Sequence, residues 1–450
     1  MDGIFGWLGE HGAHQELIRH MGVAARLPPD SALATHSTPG FGLAGASRFG
    51  KADIHQDEGL AVALYGRPRF SDAELAATAR TRNPAAAIAQ GWRRHADQLP
   101  QRLHGNFAFA ILEPTSGQVF LALDRVGAER LCYARRGGQF VFGSSVQAVA
   151  AHPAVGRTID PQAIYDYLYF HAIPAPRSLY RNVYKLLPGQ YARLKNGRIE
   201  TGYYWHADYT PAAPDYDALR ADFRARLDAA VRDADAPGTA AFLSGGTDSS
   251  TVVGALTAAR GGSVDTFSIG FDADGFDEME YARCAAERFG CRPHEYYLKP
   301  ADIVTAVPVI AHEYDEPFGN NSAVPAYFCA TNARDAGFAH MLAGDGGDEI
   351  FGGNARYAKQ GRFELYARVP ALLRHGLIEP LAHLPGLSNR FPLAKLKSYV
   401  TQAKMGLPLR LESYNFLHRT PLDRIFEADF LHAIDPASTD ADLVEVYART

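Results

Sequence analysis

The residues best suited to chemistry lie between positions 244 and 250, where Ser244, Gly245, Gly246, Thr247, Asp248, Ser249 and Ser250 follow one another. Glycines let a backbone come close to an anion and adopt turn geometries that a side chain would block. Hydroxyls from Ser244, Ser249 and Ser250 can donate hydrogen bonds to phosphate oxygens. If the turn opens a helix, the free N–H groups at the helix start point at the anion and the helix dipole adds to the attraction. Asp248 would repel a phosphate, so the role it fits is holding Mg2+, which would bridge it to a pyrophosphate. A second acidic, glycine-dense stretch, LAGDGGDEIFGG at 342–353, follows apolar residues around Met341 and carries Asp345, Asp348 and Glu349. Loops at the C-terminal ends of strands in a doubly wound sheet converge on one crevice, so Asp248 and Asp348 could share one metal ion.

Each stretch also has a plain structural reading. A Gly/Ser turn can simply cap a helix through Ser or Asp, and acidic residues can decorate a helix start. The GxxxxGK[ST] spacing and its lysine are missing, so the first loop is not a Walker A loop. The occurrence of both loops, each after an apolar run, favours the functional reading over coincidence.

The elements that must position these loops follow from periodicity. Before residue 200, short apolar runs such as LAVALYG (60–66), FAFAILE (107–113), QVFLALDR (118–125) and QFVFGSS (139–145) read as strands between turn signals. The second and third form a predicted hairpin with Pro114 to Gly117 as its loop, and helices are expected at 72–80 and 84–97. This half reads as a mixed α/β layered domain with mainly antiparallel strands. Residues 206–216, HADYTPAAPDY, read as a linker. Beyond it a helix at about 216–233, the strand 239–243, a helix to about Arg260, the strand 264–271, a helix at about 277–290 and the strand 294–298 alternate. That alternation predicts a parallel, doubly wound sheet. After Gly353 the chain reads as mostly helical.

At 450 residues with 47% hydrophobic and 21% charged residues, the chain is an ordinary globular protein of two or three domains. A net charge of −5 argues against broad nucleic-acid binding. Cys132, Cys284, Cys291 and Cys329 are scattered without zinc spacing and read as buried structural thiols in a reducing compartment. The N-terminus, with Asp2 and Glu10, lacks a secretory pattern, and no window of 18 uninterrupted apolar residues predicts a membrane span. The expectation is a cytoplasmic protein.

With both loops in view, the chain resembles the asparagine synthetase family, which includes β-lactam synthetase and lasso-peptide cyclase. Residues 244–250 match the family's SGGxDSS pyrophosphate loop. FSIGF (267–271) is similar to the strand whose backbone contacts adenine, with Ile269 at the contact position. FDEMEYARCAAERFG (276–290) and HEYDEPFGNNSAVPAYF (312–328) match further segments. The resemblance implies ATP and Mg2+, adenylation of a carboxylate, release of pyrophosphate and attack by an amine on the acyl-AMP. It places Ser244, Gly245, Gly246, Asp248, Ser249, Ser250, Ile269 and Gly344 with the nucleotide, and Asp248 and Asp348 on the metal. Where the family has SGEGSDE this chain has AGDGGDE at 343–349, so Asp345 stands at the position of a glutamate that assists the amine's proton loss.

The first half resembles the class II glutamine amidotransferase domain, through GNFAFAIL (105–112) and DRVGAERLCYA (124–134). The implied fold is a layered αββα domain of the N-terminal-nucleophile type over 1–205, followed by an ATP-pyrophosphatase domain over 206–450. That first domain uses an N-terminal cysteine as nucleophile. Here the residue is Asp2, which cannot replace a thiolate. The family's Asn-Gly pair reads Tyr65-Gly66, and its Asp-Gly pair reads His104-Gly105. Glutaminase activity is expected to be lost. The family's later glutamate- and arginine-bearing motif and catalytic lysine are not found before Thr450, so the synthetase domain is expected to be truncated or degenerate there.

The leading expectation is an ATP-dependent carbon–nitrogen ligase. Its partners would be a small-molecule or peptide carboxylate and either ammonia or a substrate amine, with no nucleic acid and no membrane; a homodimer is left open. The rival is an inactive ATP-binding pseudoenzyme or scaffold. Among lesser candidates, His312 with Glu313 and Asp315 reads as a polar segment, and Arg135-Arg136 as a solvated turn. Tyr165, Tyr167, Tyr169 and Phe170 read as interdomain packing, and Asn320 and Asn321 are candidates for touching substrate or nucleotide.

Overall fold

The apolar runs of the first half are continuous rather than alternating because both faces of their strands are covered. In the strand Leu60–Gly66, Ala61 and Ala63 pack toward a second sheet while Leu60, Val62 and Leu64 pack toward helices. In Phe107–Glu113, Ala108, Ala110 and Leu112 take the first face and Phe107, Phe109 and Ile111 the second. In Gly3–Leu8, Ile4 and Leu8 face the opposing sheet, and Phe5 and Trp7 face helices. This is the period-2 geometry of strands applied to a layered sandwich.

The computed structural model describes residues 2–27, 31–47, 52–57, 59–209, 215–272, 277–382 and 393–448. Two six-stranded antiparallel sheets stack in the first compact unit. One runs Val183–Lys185, Cys132–Arg136, Gln139–Gly143, Gly3–Leu8, Phe41–Ser47, Ala32–Thr38. The other runs Arg198–Tyr203, Gln190–Lys195, Gln118–Leu123, Phe107–Glu113, Leu60–Gly66, Ala52–Asp57. Helices His14–Ala24 and Val146–Ala151 cover the first sheet, and Ala73–Thr81 and Pro84–His95 cover the second. The layered αββα architecture expected from the sequence is the observed one. The hairpin forms with Glu113 opposite Gln118, and Asp72 and Asn83 cap the two covering helices. The second of these helices ends at His95 and tightens into a 3-10 turn over Ala96–Arg102, short of the helix to 97 that was expected.

The second unit holds a four-stranded parallel sheet in the order Arg292–Leu298, Asp265–Phe271, Thr239–Phe242, His340–Leu342. Tyr216–Ala234, Thr247–Arg260 and Met279–Phe289 pack one face around Val231, Val253, Leu256 and Met279. Ala323–Asp335 covers the other through Cys329 and Ala333, against Ala240 and Phe267. Helices on both faces make the sheet doubly wound, as the alternation predicted. The chain then continues mainly as short helices, including Ala355–Ala367 and Leu393–Lys404.

One cut after residue 205 was the expectation, but the compact units are interleaved in sequence. The first comprises Met1–Tyr209, Ala311–Gly319 and Arg419–Thr450; the second comprises Thr210–Ile310 and Asn320–His418. Asp315 explains why its segment belongs to the first unit. Its buried carboxylate accepts from Ser145 Oγ at 2.8 Å, from Gln147 N at 3.3 Å and from Val146 N, capping the helix Val146–Ala151. Glu316 accepts from Leu179 N at 2.7 Å and from Lys185 Nζ at 2.5 Å. Tyr165 packs on Phe426 with ring centroids 5.9 Å apart, and Tyr169 donates to Asp440 at 3.0 Å. These partners belong to the same unit, so the aromatic group packs inside it rather than between domains. Arg135 and Arg136 end the strand Cys132–Arg136 instead of forming the turn, which falls on Gly137 and Gly138. Part of the linker (210–214) and the start of the 276–290 match (Phe276) lie outside the described residues.

Candidate functional site

The strand order of the second unit places its reversal between Thr239–Phe242 and His340–Leu342, since the two strands that follow the first in sequence lie on its other side. Open α/β sheets bind ligands at such a switch point, outside the strand C-termini. The loops leaving these two strands are the ones the sequence singled out.

After Phe242 the chain turns through Gly245, whose φ of +83° favours glycine. A methyl there would also sit 2.5 Å from Ala282 N and from Tyr281 Cβ, so the turn is backed directly onto the helix Met279–Phe289. Gly246 is the N-cap of Thr247–Arg260, and no side chain caps that helix. Its first-turn N–H groups therefore remain suited to an anion. The loop is held by its own hydroxyls. Ser244 and Ser249 Oγ lie 3.0 Å apart, Gly246 N donates to Ser244 Oγ at 3.3 Å, and Ser249 Oγ donates to Gly246 O at 3.3 Å. Ser268 Oγ donates to Leu243 O at 2.6 Å and ties the neighbouring strand to the loop's base.

The acidic loop is backed onto the first. A methyl on Gly344 would lie 2.7 Å from both Asp248 C and Ser249 N. One on Gly347 would lie 2.4 Å from Asp248 Oδ2, and one on Gly353 would lie 2.4 Å from Asp348 Oδ1. The Asp248 carboxylate thus rests against the residue immediately before Asp348. Ser244, Asp248, Ser249, Ile269, Gly344, Asp345 and Asp348 line one cavity of about 610 Å3. Gly245 and Gly246 shape the same turn without lining it. Ser250 also stays out of the lining, with a buried hydroxyl that has no hydrogen-bond partner among the described residues.

The apolar part of the cavity lining is Phe242, Phe267, Ile269, Pro325, Ala326 and Cys329. Burial pushes the Cys329 thiol up to about 12, so it acts as a small apolar group rather than a nucleophile. The lining also includes the acids Asp248, Glu278, Asp345, Asp348 and Glu349. Glu278, Ser322, Pro325, Ala326 and Cys329 were not singled out from the sequence. Ser322 follows Asn320 and Asn321, which do not line the cavity; Asn320 Oδ1 instead accepts from Ser322 N at 2.9 Å. Among the described residues, no three His, Cys, Asp or Glu side chains gather into a group able to hold a metal by themselves. Two carboxylates on apposed loops fit the hard-cation chemistry of Mg2+, which retains waters and takes phosphate oxygens as its other ligands. His312 does not line the cavity, and its backbone carbonyl accepts from Arg26.

In the first unit, Asp2 precedes the strand Gly3–Leu8 and accepts from Ser31 Oγ at 3.3 Å. The unit's one cysteine, Cys132, is buried, and its thiol donates to Gly143 O at 2.9 Å. Burial holds that thiol well above its ordinary pKa. No helix among the described residues is long and apolar enough to cross a membrane.

The asparagine synthase family matches residues 222–436, and the glutamine amidotransferase domain matches 69–205. The chain therefore carries an asparagine synthase domain and a glutamine amidotransferase domain. It is 33% identical to a putative glutamine-hydrolysing asparagine synthetase 2 of Methanocaldococcus jannaschii, over 61% of this chain and 54% of that protein. It is 28% identical to glutamine-hydrolysing asparagine synthetase 1 of Bacillus subtilis, over 68% and 49%. A putative glutamine-hydrolysing asparagine synthetase of Mycobacterium tuberculosis is 30% identical over 66% and 47%. The chain spans about half the length of these curated relatives. Both cavity loops fall within the asparagine synthase match; Arg69, His104 and Cys132 fall within the amidotransferase match, and Asp2 and Tyr65 precede it.

Proposed function

We propose that this protein is an ATP-dependent carbon–nitrogen ligase whose second unit activates a carboxylate as its acyl-adenylate. A carboxylate oxygen of the substrate attacks the α-phosphorus of ATP, and pyrophosphate leaves. A nitrogen nucleophile then attacks the acyl carbon, and AMP leaves. The observation that carries this reading is the uncapped start of Thr247–Arg260 facing an acid-bearing loop across one cavity at the sheet's switch point. The helix start and the Ser244 and Ser249 hydroxyls bind the polyphosphate. Asp248 and Asp348 would hold Mg2+, which neutralises charge on the leaving pyrophosphate. The apolar lining that includes Ile269 takes the base. Asp345 lines the same cavity and accepts the proton that the attacking nitrogen loses.

The nitrogen comes from ammonia or a substrate-borne amine rather than from glutamine hydrolysed in the first unit. Amide attack there needs a thiolate, Asp2 supplies none, and Cys132 is buried with a raised pKa. The carboxylate belongs to a small molecule or a peptide. The test incubates the full-length protein with ATP, Mg2+ and a panel of carboxylates, with ammonium or glutamine as donor, and follows pyrophosphate. Carboxylate-dependent release, with ammonium or an amine supporting amide formation and glutamine not, is expected. No carboxylate-dependent pyrophosphate with any donor would falsify the ligase reading.

A further inference from the structure

The second unit holds another cavity, of about 400 Å3, that shares no lining residue with the one between the two loops. That volume falls in the range of about 300–1,000 Å3 usual for small-molecule sites. Two stretches of chain build it. Lys359 and Phe363 stand four positions apart on the helix Ala355–Ala367 and so lie on one face of it. The 3-10 turn Leu409–Glu412 contributes Arg410, Leu411 and Glu412, and Tyr414 follows it.

Arg410 brings to this cavity a charge held out of water. Its side chain is 7% exposed, and burying a guanidinium is costly unless its N–H groups find acceptors. Nε donates to Met405 O at 2.8 Å and Nη1 to Glu364 at 2.6 Å, while the guanidinium lies 5.5 Å from the centre of the Phe363 ring. These contacts fix the group in place and leave Nη2 with no hydrogen-bond partner among the described residues. Glu364 is 54% exposed, so water screens much of its charge. The second cation is Lys359, whose Nζ donates to Tyr414 Oη at 2.9 Å and sits 5.1 Å from the centre of that ring. A phenol and a π face orient an ammonium without neutralising it. No Asp or Glu pairs with Lys359 among the described residues, and Glu412 is the one acid that they add to the lining.

We propose that this cavity binds a small organic carboxylate, whose oxygens accept from Arg410 Nη2 and Lys359 Nζ and whose apolar body rests on Phe363, Leu411 and Tyr414. Lys359 keeps two of its three N–H donors after the bond to Tyr414, so both cations can donate to one carboxylate. Two cations against one acid leave the lining with a single positive charge, which a monoanion balances and a phosphate dianion exceeds. The apolar side chains beside the cations select an acid with a hydrocarbon body over a bare inorganic anion. The inference is independent of the ligase reading, because the two cavities have no lining residue in common.

The test titrates the full chain by calorimetry, without ATP or Mg2+, with benzoate, hexanoate and 3-phenylpropionate, and with 3-phenylpropanol as the uncharged counterpart. At least one of the acids is expected to bind with a Kd of about 1 mM or tighter, and 3-phenylpropanol more weakly than 3-phenylpropionate by about tenfold. In Lys359→Gln, an exchange at an exposed position, the affinity for the bound acid should fall about tenfold. Arg410→Lys, which keeps the charge but not the fixed fork, should weaken it further. If none of the three acids binds saturably, the proposal is wrong. An acid that binds Lys359→Gln as tightly as the unsubstituted protein sits elsewhere, the larger cavity included, and overturns it too. Inorganic phosphate displacing the acid at equal concentration would overturn the choice of a carboxylate. Should Arg410→Lys not fold, Lys359→Gln and the alcohol still decide. Absent pyrophosphate release would sink the ligase reading alone, since these titrations involve no turnover.

Discussion

Replacing Gly344 with alanine tests whether the two loops are backed against each other as tightly as the cavity requires. A methyl at 344 would stand 2.7 Å from Asp248 C and Ser249 N and 2.9 Å from Asp248 Cβ. Ordinary contacts begin near 3.4 Å, so the overlap is several tenths of an ångström with backbone that cannot rotate away. Gly344 has no positive φ, so the effect is contact rather than conformational strain. Relief requires moving the loops apart, at a cost of about 1–3 kcal/mol. For a unit of this size that lowers Tm by roughly 2–4 °C per kcal/mol. The same displacement separates Asp248 from the 347–349 segment, so affinity for a non-hydrolysable ATP analogue with Mg2+ should fall at least about tenfold, or 1.4 kcal/mol. Gly246→Ala is the companion variant. Its methyl would meet nothing nearer than Ser244 Oγ at 3.4 Å, at φ −67°. Exchanging an N-cap glycine for alanine costs under about 1 kcal/mol, yet the new methyl stands at the helix start where the polyphosphate is proposed to sit. Calorimetric titration and melting should therefore show Gly344→Ala losing both stability and binding, and Gly246→Ala losing mainly binding. Gly344→Ala melting within a degree of the unsubstituted protein and binding the analogue as tightly would refute the apposition.

Other outcomes follow from the same contacts. Asp248→Asn should remove the Mg2+ dependence of nucleotide binding while leaving the far-ultraviolet circular dichroism unchanged; a preserved Mg2+ response would count against Asp248 as a ligand. Asp315→Asn weakens the buried cap of Val146–Ala151 and should cost about 1–3 kcal/mol, read as a shift of the denaturant midpoint. His152, 1% exposed, is held down to about 4 by burial and by His11. A depressed folded pKa means its contribution is complete above 6.5 and is lost as pH falls from 6.5 through 4, on the order of 3 kcal/mol in all. In His152→Asn, whose Oδ1 can replace the Nδ1 that accepts from Ala154 N, the melting temperature between those pH values should become flatter. Asp235 and Asp265 are held below the usual carboxylate range by Arg260 and by Arg292, respectively, so stability from these pairs persists above pH 4 and fades below it. Arg260→Gln should blunt the acid limb of the melting curve.

What the sequence made legible follows from where its signals are local. LAVALYG and FAFAILE are apolar at every position because Ala61 and Leu60, or Ala108 and Phe107, are buried on opposite faces. The runs therefore read as strands at once. The loops at 244–250 and 342–353 were legible because glycine, serine and aspartate in those orders have few purely structural uses. The strand His340–Leu342 was harder, since three half-buried residues give no periodicity. Helices Pro300–Glu313 and Ala323–Asp335 escaped assignment because their surfaces do not alternate cleanly: Val304 is 74% exposed in a helix with only Ala306 fully buried. The return of 311–319 to the first unit depends on Asp315 meeting Ser145 across 170 positions, a pairing no local pattern encodes. The apolar part of the cavity lining was hidden for a related reason. Pro325, Ala326 and Cys329 are ordinary core residues by type, and only the winding of Ala323–Asp335 over the sheet brings them to the ligand space.

The two units separate fold from chemistry in opposite ways. In the first, the packed clusters consist of Trp7, Phe107, Phe142, Leu121 and their neighbours, while Asp2, His104 and Gly105 lie at strand ends outside them. Exchanging a nucleophile for Asp2 or an acid for His104 therefore removes no core contact and leaves both six-stranded sheets intact. A scaffold stabilised this way can change what its edge binds. In the second unit the same separation is impossible. Gly344 and Gly347 touch Asp248, and Gly245 touches the helix Met279–Phe289, so the residues that shape the ligand space also join the loops to the sheet. Substitutions at these glycines disturb packing and chemistry together, and this explains why the glycine-rich pattern is legible here.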